Sequence, residues 1–228
     1  MIRQARTWIL VCAMAGIATV ESAQAQQLGF YVGGNYGLAE KDAEKQPFDD
    51  FALAIYDFVG FTAQQSTAKL DPEDYGFGFV AGYRLLPNLA FEGGYMELGS
   101  VAYRSTATGA FSGGPSDLTL NVDSKTSGIA LSALGILPVS YRFEVYARAG
   151  ILFSTTDFNI YVTDGIDELR DSVSESSTDY LAGVGAGFGF AEVYTARLEF
   201  DRVFEAGSED AGGEGDVDMI SLGFTVAF

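Results

Sequence analysis

In about eight stretches of roughly ten residues between Leu28 and Phe228, bulky apolar side chains and small or polar ones alternate at every second position. That period is the signature of a β-strand with two unlike faces, and it excludes an amphipathic helix. The first stretch, Leu28 to Ala39, sets Leu28, Phe30, Val32, Tyr36 and Leu38 against Gly29, Tyr31, Gly33, Asn35 and Gly37. Tyr75 to Leu85 opposes Tyr75, Phe77, Phe79, Ala81, Tyr83 and Leu85 to Gly76, Gly78, Val80, Gly82 and Arg84. Leu89 to Leu98, Ser127 to Leu137, Tyr141 to Phe153, Thr178 to Phe188, Val193 to Asp201 and a final run ending at Phe228 continue the pattern. One face of every strand is greasy, and the other is dominated by glycine, alanine and serine.

Such strands could stack into a soluble sandwich or a lipocalin-like barrel, with the greasy face as core and the other as surface. A face rich in glycine and alanine is a poor coat for water but a good filling for a narrow cylinder. Ten residues also suffice to cross a bilayer with tilt, and a closed barrel satisfies every backbone group in hydrocarbon. The connections alternate as well. Leu86 to Asn88, Pro138 to Ser140 and Gly189 to Glu192 are short, whereas Glu40 to Asp74, Gly99 to Thr126, Ser154 to Ser177 and Glu205 to Val217 are long and polar. Short turns on one side and long loops on the other suit an outer-membrane barrel. The expected fold is therefore all-β, a transmembrane antiparallel up-and-down β-barrel of about eight strands.

The N-terminus reads as a secretory signal: Arg3 and Arg6, an apolar run from Trp8 to Val20, then Ala23-Gln24-Ala25 with small residues where a signal peptidase cuts. Glu21 closes the apolar run well short of a membrane anchor. The expected division is a signal peptide over 1–25 and a barrel domain over 26–228, exported to the bacterial outer membrane. Cleavage would remove the single cysteine, Cys12, which follows Val11 inside the apolar run and so does not suit a lipid anchor. Neither disulfides nor thiolate metal sites are then available. It would also remove two of the 13 basic and one of the 31 acidic residues, taking the net charge from −18 to −19. A chain this acidic is not expected to bind nucleic acid or to adhere electrostatically to anionic lipid.

Arg84, Glu92, Arg142, Glu144, Arg148, Arg197, Glu199 and Asp201 fall on the small-residue faces of different strands, in both signs. Inside a barrel they would pair and plug the lumen, with a re-pairing gate as the competing reading. Catalysis is not expected. With no histidine in the chain, the usual imidazole base is missing, and each interior carboxylate has an arginine in its layer. Gly183-Val184-Gly185-Ala186-Gly187 superficially resembles a dinucleotide loop, but its glycines keep period two inside a strand. The acidic loops, with Asp164, Asp167, Glu168, Asp171 and Glu175 in one and Glu209, Asp210, Glu214, Asp216 and Asp218 around another, match no EF-hand spacing and read as solvated surface. No cofactor and no metal are expected. In the first long loop Phe48, Phe51, Ile55, Phe58 and Val59 recur at helical spacing, as for a segment packed on the barrel rim.

The signal, the first strand LGFYVGGNYGLA, the hairpin GFGFVAGYRLLPNLAFEGGYMELG and the terminal alternation ending at Phe228 together resemble the OmpA-like family of small outer-membrane barrels. The resemblance implies that Ile220, Phe224 and Phe228 form the signal read by the barrel-assembly machinery, reached with the help of periplasmic chaperones. It also implies that Arg84, Glu92, Arg142, Glu144, Arg197 and Glu199 correspond to the family's charged interior. The resemblance covers the barrel domain, so the peptidoglycan-binding domain of full-length members, and the wall tethering that goes with it, are not part of the expectation. The expected function is structural and non-enzymatic, serving envelope integrity and surface interaction as a monomer among outer-membrane lipid and lipopolysaccharide; a narrow porin-like channel is the alternative.

Overall fold

The computed structural model describes residues 28–43, 45–112, 114–190, 192–207 and 215–228; the expected signal peptide and Glu209, Asp210 and Glu214 lie outside the described residues. The described chain is nine strands and one helix: β1 (Gly29–Lys41), α1 (Lys45–Phe58), β2 (Thr62–Asp71), β3 (Glu73–Leu86), β4 (Leu89–Phe111), β5 (Gly114–Pro138), β6 (Phe143–Thr163), β7 (Glu168–Gly189), β8 (Tyr194–Ala206) and β9 (Gly215–Ala227). All pairings are antiparallel, and the ring runs β4-β3-β1-β9-β8-β7-β6-β5 and back to β4. Eight strands close the barrel. The ninth, β2, continues β3 past Pro72 and pairs only with the upper part of β4, from Thr62↔Ala110 to Asp71↔Ala102.

The alternating pattern resolves into an outside and an inside. Phe30, Tyr36, Leu38, Tyr75, Phe79, Phe91, Ile129, Leu131, Phe153, Tyr180, Leu198, Leu222 and Phe224 all point outward and exposed. From Phe143 to Phe153 this face spans ten residue steps of β6, about 33 Å of strand and about 25 Å of height at a tilt near 40°. The belt has a sharp upper edge. Glu40, Glu73, Glu97, Lys125, Thr155, Thr178, Arg202 and Asp218 form an outward polar collar there, tied by Lys125–Glu97 at 2.9 Å and by Arg202 with Asp218. Below the belt lie the short turns after β3, β5 and β7.

Above the collar the structure departs from the sequence reading. Gly99 to Thr126 and Ser154 to Ser177 are not polar loops but the upper halves of two long hairpins, β4–β5 and β6–β7, whose strands run 21 to 25 residues. With β2 they raise a five-stranded wall, β2-β4-β5-β6-β7, far above the apolar belt. The break in the pattern is local. Between Glu97 and Ser100 the β4–β5 register slips, and Gly99 sits at φ 75°, where a side chain would be strained. The slip flips the inward parity of β4 from even residues, ending at Leu98, to odd ones, Val101, Tyr103, Ser105 and Ala107.

Helix α1 lies against the inner face of this wall. It buries Phe48, Ala52 and Tyr56 on Val101, Tyr103 and Ala107 of β4 and Leu118, Leu120 and Val122 of β5, with Ile55 and Val59 partly buried. Phe51 and Phe58 instead face outward, Phe58 at 81% exposure. The helical spacing was therefore correct while its apolar face was rotated, because Tyr56, not Phe51, makes the central contact. The helix sits inside the extension above the lumen, a deeper position than the expected rim.

Candidate functional site

The lumen is filled from the bottom by side chains whose positions follow from strand parity. Arg84, Glu92, Glu144, Arg148, Arg197, Glu199 and Asp201 are all inward and buried. Arg142 is not among them. It is exposed in the turn before β6, because the strand begins only at Phe143, whose carbonyl accepts from the N–H groups of Val139 and Ser140. Near the lower mouth, Arg84 pairs with Glu144 at 2.9 Å and donates to the Pro87 carbonyl at 2.6 Å.

Arg148 of β6 is the hub of the next layer. Its guanidinium reaches Glu92 at 2.9 Å, Glu199 at 2.7 Å and Asp201 at 2.8 Å, three carboxylates from two other strands. Arg197, from β8 on the far side of the ring, reaches across to Glu92 at 2.8 Å and lies 3.7 Å from Glu199. Charge-assisted bonds of this kind are about twice as strong as neutral ones, and they satisfy groups that water cannot reach.

Two inward tyrosines, not among the charged residues expected in the lumen, complete the network. Tyr31 donates to Glu92 and Tyr146 to Glu199, each at 2.7 Å. Asn35 donates to Glu199 at 3.2 Å and to Ser221 at 3.1 Å. Each ring lies over the glycine paired with it across the strands, Tyr31 over Gly82 and Tyr146 over Gly185. An added Cβ would stand 2.2 Å from the Tyr31 ring at Gly82 and 2.3 Å from the Tyr146 ring at Gly185. Arg197 fits between them, 4.7 Å from the Tyr146 ring centre and 6.0 Å from that of Tyr31. The sequence signal was partial: each is the one aromatic on the inward face of its strand within the belt, while the glycine opposite it emerges only from the register.

Gly185→Ala is accordingly expected to displace Tyr146 from Glu199 and to destabilise the folded barrel by about 1–3 kcal/mol through overpacking. Urea titration of the protein in detergent micelles, followed by tyrosine near-UV circular dichroism, checks both effects.

Above the ions comes an apolar layer, Ala39, Met96, Leu98, Leu152, Leu181 and Met219. Hydroxyl contacts follow, Thr126 with the Thr156 hydroxyl at 2.9 Å and Ser154 donating to the Asp179 carboxylate at 2.5 Å. Helix α1 closes the stack. Tyr56 donates to Ser105 and Tyr103 donates to Asp49, both at 2.8 Å. Burial raises both phenols above their ordinary range, and at Tyr103 the bond to Asp49 adds to the rise, so they remain neutral donors.

The outward hairpin tips use their acids differently. Asp164 accepts from the N–H groups of Ile166 and Asp167, which holds its carboxyl below the usual range and shapes the β6–β7 turn. Among the described residues, no group of three or more acidic side chains is gathered in a metal-ligating arrangement.

Residues 25–228 match the model of the OmpA-like transmembrane domain. The chain belongs to that family. Among curated relatives, it is 26% identical over 221 residues to outer membrane protein A of Yersinia pseudotuberculosis, covering 96% of this chain and 54% of the relative. It is 28% identical over 176 residues to outer membrane protein A of Klebsiella pneumoniae, covering 75% of this chain and 46% of the relative. The OmpA-like chain thus spans about half the length of the curated relatives it matches. Among solved structures, Neisserial surface protein A aligns at TM-score 0.46 and 16% identity, over 88% of this chain and 97% of that one. The N-terminal β-barrel domain of Pseudomonas aeruginosa OprF aligns at TM-score 0.41 and 16% identity, over 90% and 100%. Membership of the OmpA-like family places this barrel in the bacterial outer membrane.

Proposed function

We propose that this OmpA-like barrel is a non-enzymatic structural protein of the outer membrane, closed to solutes, whose raised extracellular wall serves surface interactions. The observation that carries the reading is the lumen. Two cavities at the level of the ion network measure about 40 Å3 each, room for no more than a few water molecules. Above them stand the apolar layer and then α1. Every interior carboxylate of the network is already engaged by arginine or tyrosine, which leaves no poised general base.

Its surroundings follow from its surface. The apolar belt meets lipid, the collar meets headgroups, and the outer-leaflet lipopolysaccharide is the partner expected around the wall. Ile220, Phe224 and Phe228 face outward along and just past β9, the strand that closes the ring against β1. That position suits an edge recognised by the assembly machinery before closure, with chaperones holding the chain in the periplasm.

Planar bilayer recordings test the closed state. The folded mature protein is expected to give no reproducible conductance steps. Steps whose size changes on substituting Arg148 or Glu92 would overturn the reading in favour of a narrow channel.

A further inference from the structure

Helix α1 is apolar on two sides, and the wall uses only one of them. Its buried side carries Phe48, Ala52 and Tyr56. Pro47, Phe51, Ala54 and Phe58 form a second stripe at alternating spacings of four and three residues, and all of them are exposed. Counted in heptads, Phe51 and Phe58 take position a and Pro47 and Ala54 position d, the seam by which one helix packs on another. Asp50 and Asp57 both fall at position g, on one rim of that seam. The other rim belongs to the wall, because Phe48 and Ile55, at position e, pack into the buried cluster.

The seam stands free. Helix α1 is 14 residues long, a rise of about 21 Å. It climbs from Lys45, just past the end of β1, to the tip of the wall, where Gly60 at φ 73° turns the chain and Phe61 packs on Phe111 with ring centres 5.1 Å apart. Across from it, β1, β3, β8 and β9 end within a few residues of the collar, so among the described residues no strand faces the seam. An exposed apolar stripe rimmed by charge marks an interaction surface.

Charge selects the occupant. Asp50 accepts from Gln46 of its own helix at 3.1 Å, and among the described residues no cation lies within ion-pair distance of Asp50 or Asp57. Lys45, the single basic residue of α1, is held by Asp49 at 3.3 Å. The face of the wall on which the helix lies adds Asp171 and Glu175 of β7, paired with Ile160 and Thr156 of β6, and Glu175 Oε2 has no hydrogen-bond partner among the described residues. A second copy of this chain, at net charge −18, would set acid against acid, and an anionic glycan would meet the same repulsion. Hydrocarbon lies lower and on the outside of the cylinder.

We propose that α1 is the docking site for a cationic amphipathic helix of a partner polypeptide at the cell surface. The apolar residues of that helix interlock with Phe51, Ala54 and Phe58, and its lysines or arginines reach Asp50 and Asp57. This rests on the surface-interaction half of the proposed function and is independent of the closed lumen.

The test uses the mature protein in discs of zwitterionic phosphatidylcholine and two fluorescein-labelled synthetic peptides of three heptads with leucine at a and d. The basic probe carries lysine at e and g, the acidic probe glutamate, and anisotropy measured against empty discs reads binding. Saturable binding of the basic probe is expected, at least tenfold tighter than that of the acidic one. Phe51→Ser combined with Phe58→Ser is expected to weaken it at least tenfold, and Asp50→Asn combined with Asp57→Asn several-fold, with unchanged urea midpoints because all of these side chains are exposed. Asp50→Lys combined with Asp57→Lys is expected to turn the preference toward the acidic probe. Absence of saturable binding beyond that of empty discs overturns the proposal, and so does binding indifferent to the phenylalanine pair, which is adhesion to a generally acidic surface. Dimers of the protein alone that dissociate on Phe51→Ser with Phe58→Ser overturn the choice of occupant in favour of a second copy. None of these outcomes bears on conductance, so failure here leaves the closed-barrel reading standing.

Discussion

Arg148→Met is expected to destabilise the folded barrel by about 3–5 kcal/mol, the cost of stripping a buried cation from its partners. Arg148 is the sole ion-pair partner of Asp201 among the described residues and shares Glu92 and Glu199 with Arg197. Its removal leaves three carboxylates in a water-poor lumen with one guanidinium between them. Methionine fills a similar volume, so the loss reports charge, not a cavity. A second variant separates the two causes. Arg148→Met combined with Glu92→Gln and Asp201→Asn removes two of the orphaned charges and is expected to recover most of the loss, because the lumen charges that remain, Arg197 with Glu199 and Arg84 with Glu144, are then matched in number and sign. Urea midpoints in lipid vesicles, compared at equal m-value, give both numbers. Equal stability of the single and triple variants would mean that the network contributes packing and not electrostatics.

The interior of this barrel was legible in the sequence wherever the strand was regular. Seven charged residues could be assigned to one side because period two is strict within a strand, and a shift of one residue would have thrown them all into lipid. The same arithmetic misplaced Arg142, since parity holds only while the backbone stays extended, and the Val139–Phe143 turn ends that two residues before Glu144. The hairpin extensions escaped notice for a related reason. Their outward residues are mostly threonine, serine, asparagine and aspartate, which resemble loop composition, and the slip at Gly99 moved the inward apolar set of β4 from even to odd positions. Read from Val101 onward with the opposite parity, Val101, Tyr103, Ser105 and Ala107 against Ala102, Arg104, Thr106 and Thr108 are a strand. The cross-strand alignment of the upper wall was beyond reach for a different reason. It depends on the relative register of five strands, which turn lengths and one bulge decide and no single stretch encodes.

Which side of the cylinder meets hydrocarbon can be measured by a single charge moved along the wall. Leu198 sits at mid-height of the belt on β8, exposed and paired with Leu222 of β9. Leu198→Arg is expected to cost about 2–4 kcal/mol in folding equilibria in lipid vesicles, since an arginine at the bilayer midplane must be hydrated through a defect or drawn toward the interface. Thr106 is also outward, but on β4 above the collar. Thr106→Arg is expected to change stability by no more than about 0.5 kcal/mol, because its side chain stays in water. The ratio of the two is the discriminating quantity. In a soluble barrel with its bulky face turned inward, Leu198 would be core and Arg148 surface, so Arg148→Met would be nearly silent. An outward belt makes both Leu198→Arg and Arg148→Met costly while Thr106→Arg is tolerated, and only the arrangement with lipid outside and ions inside produces that set of three.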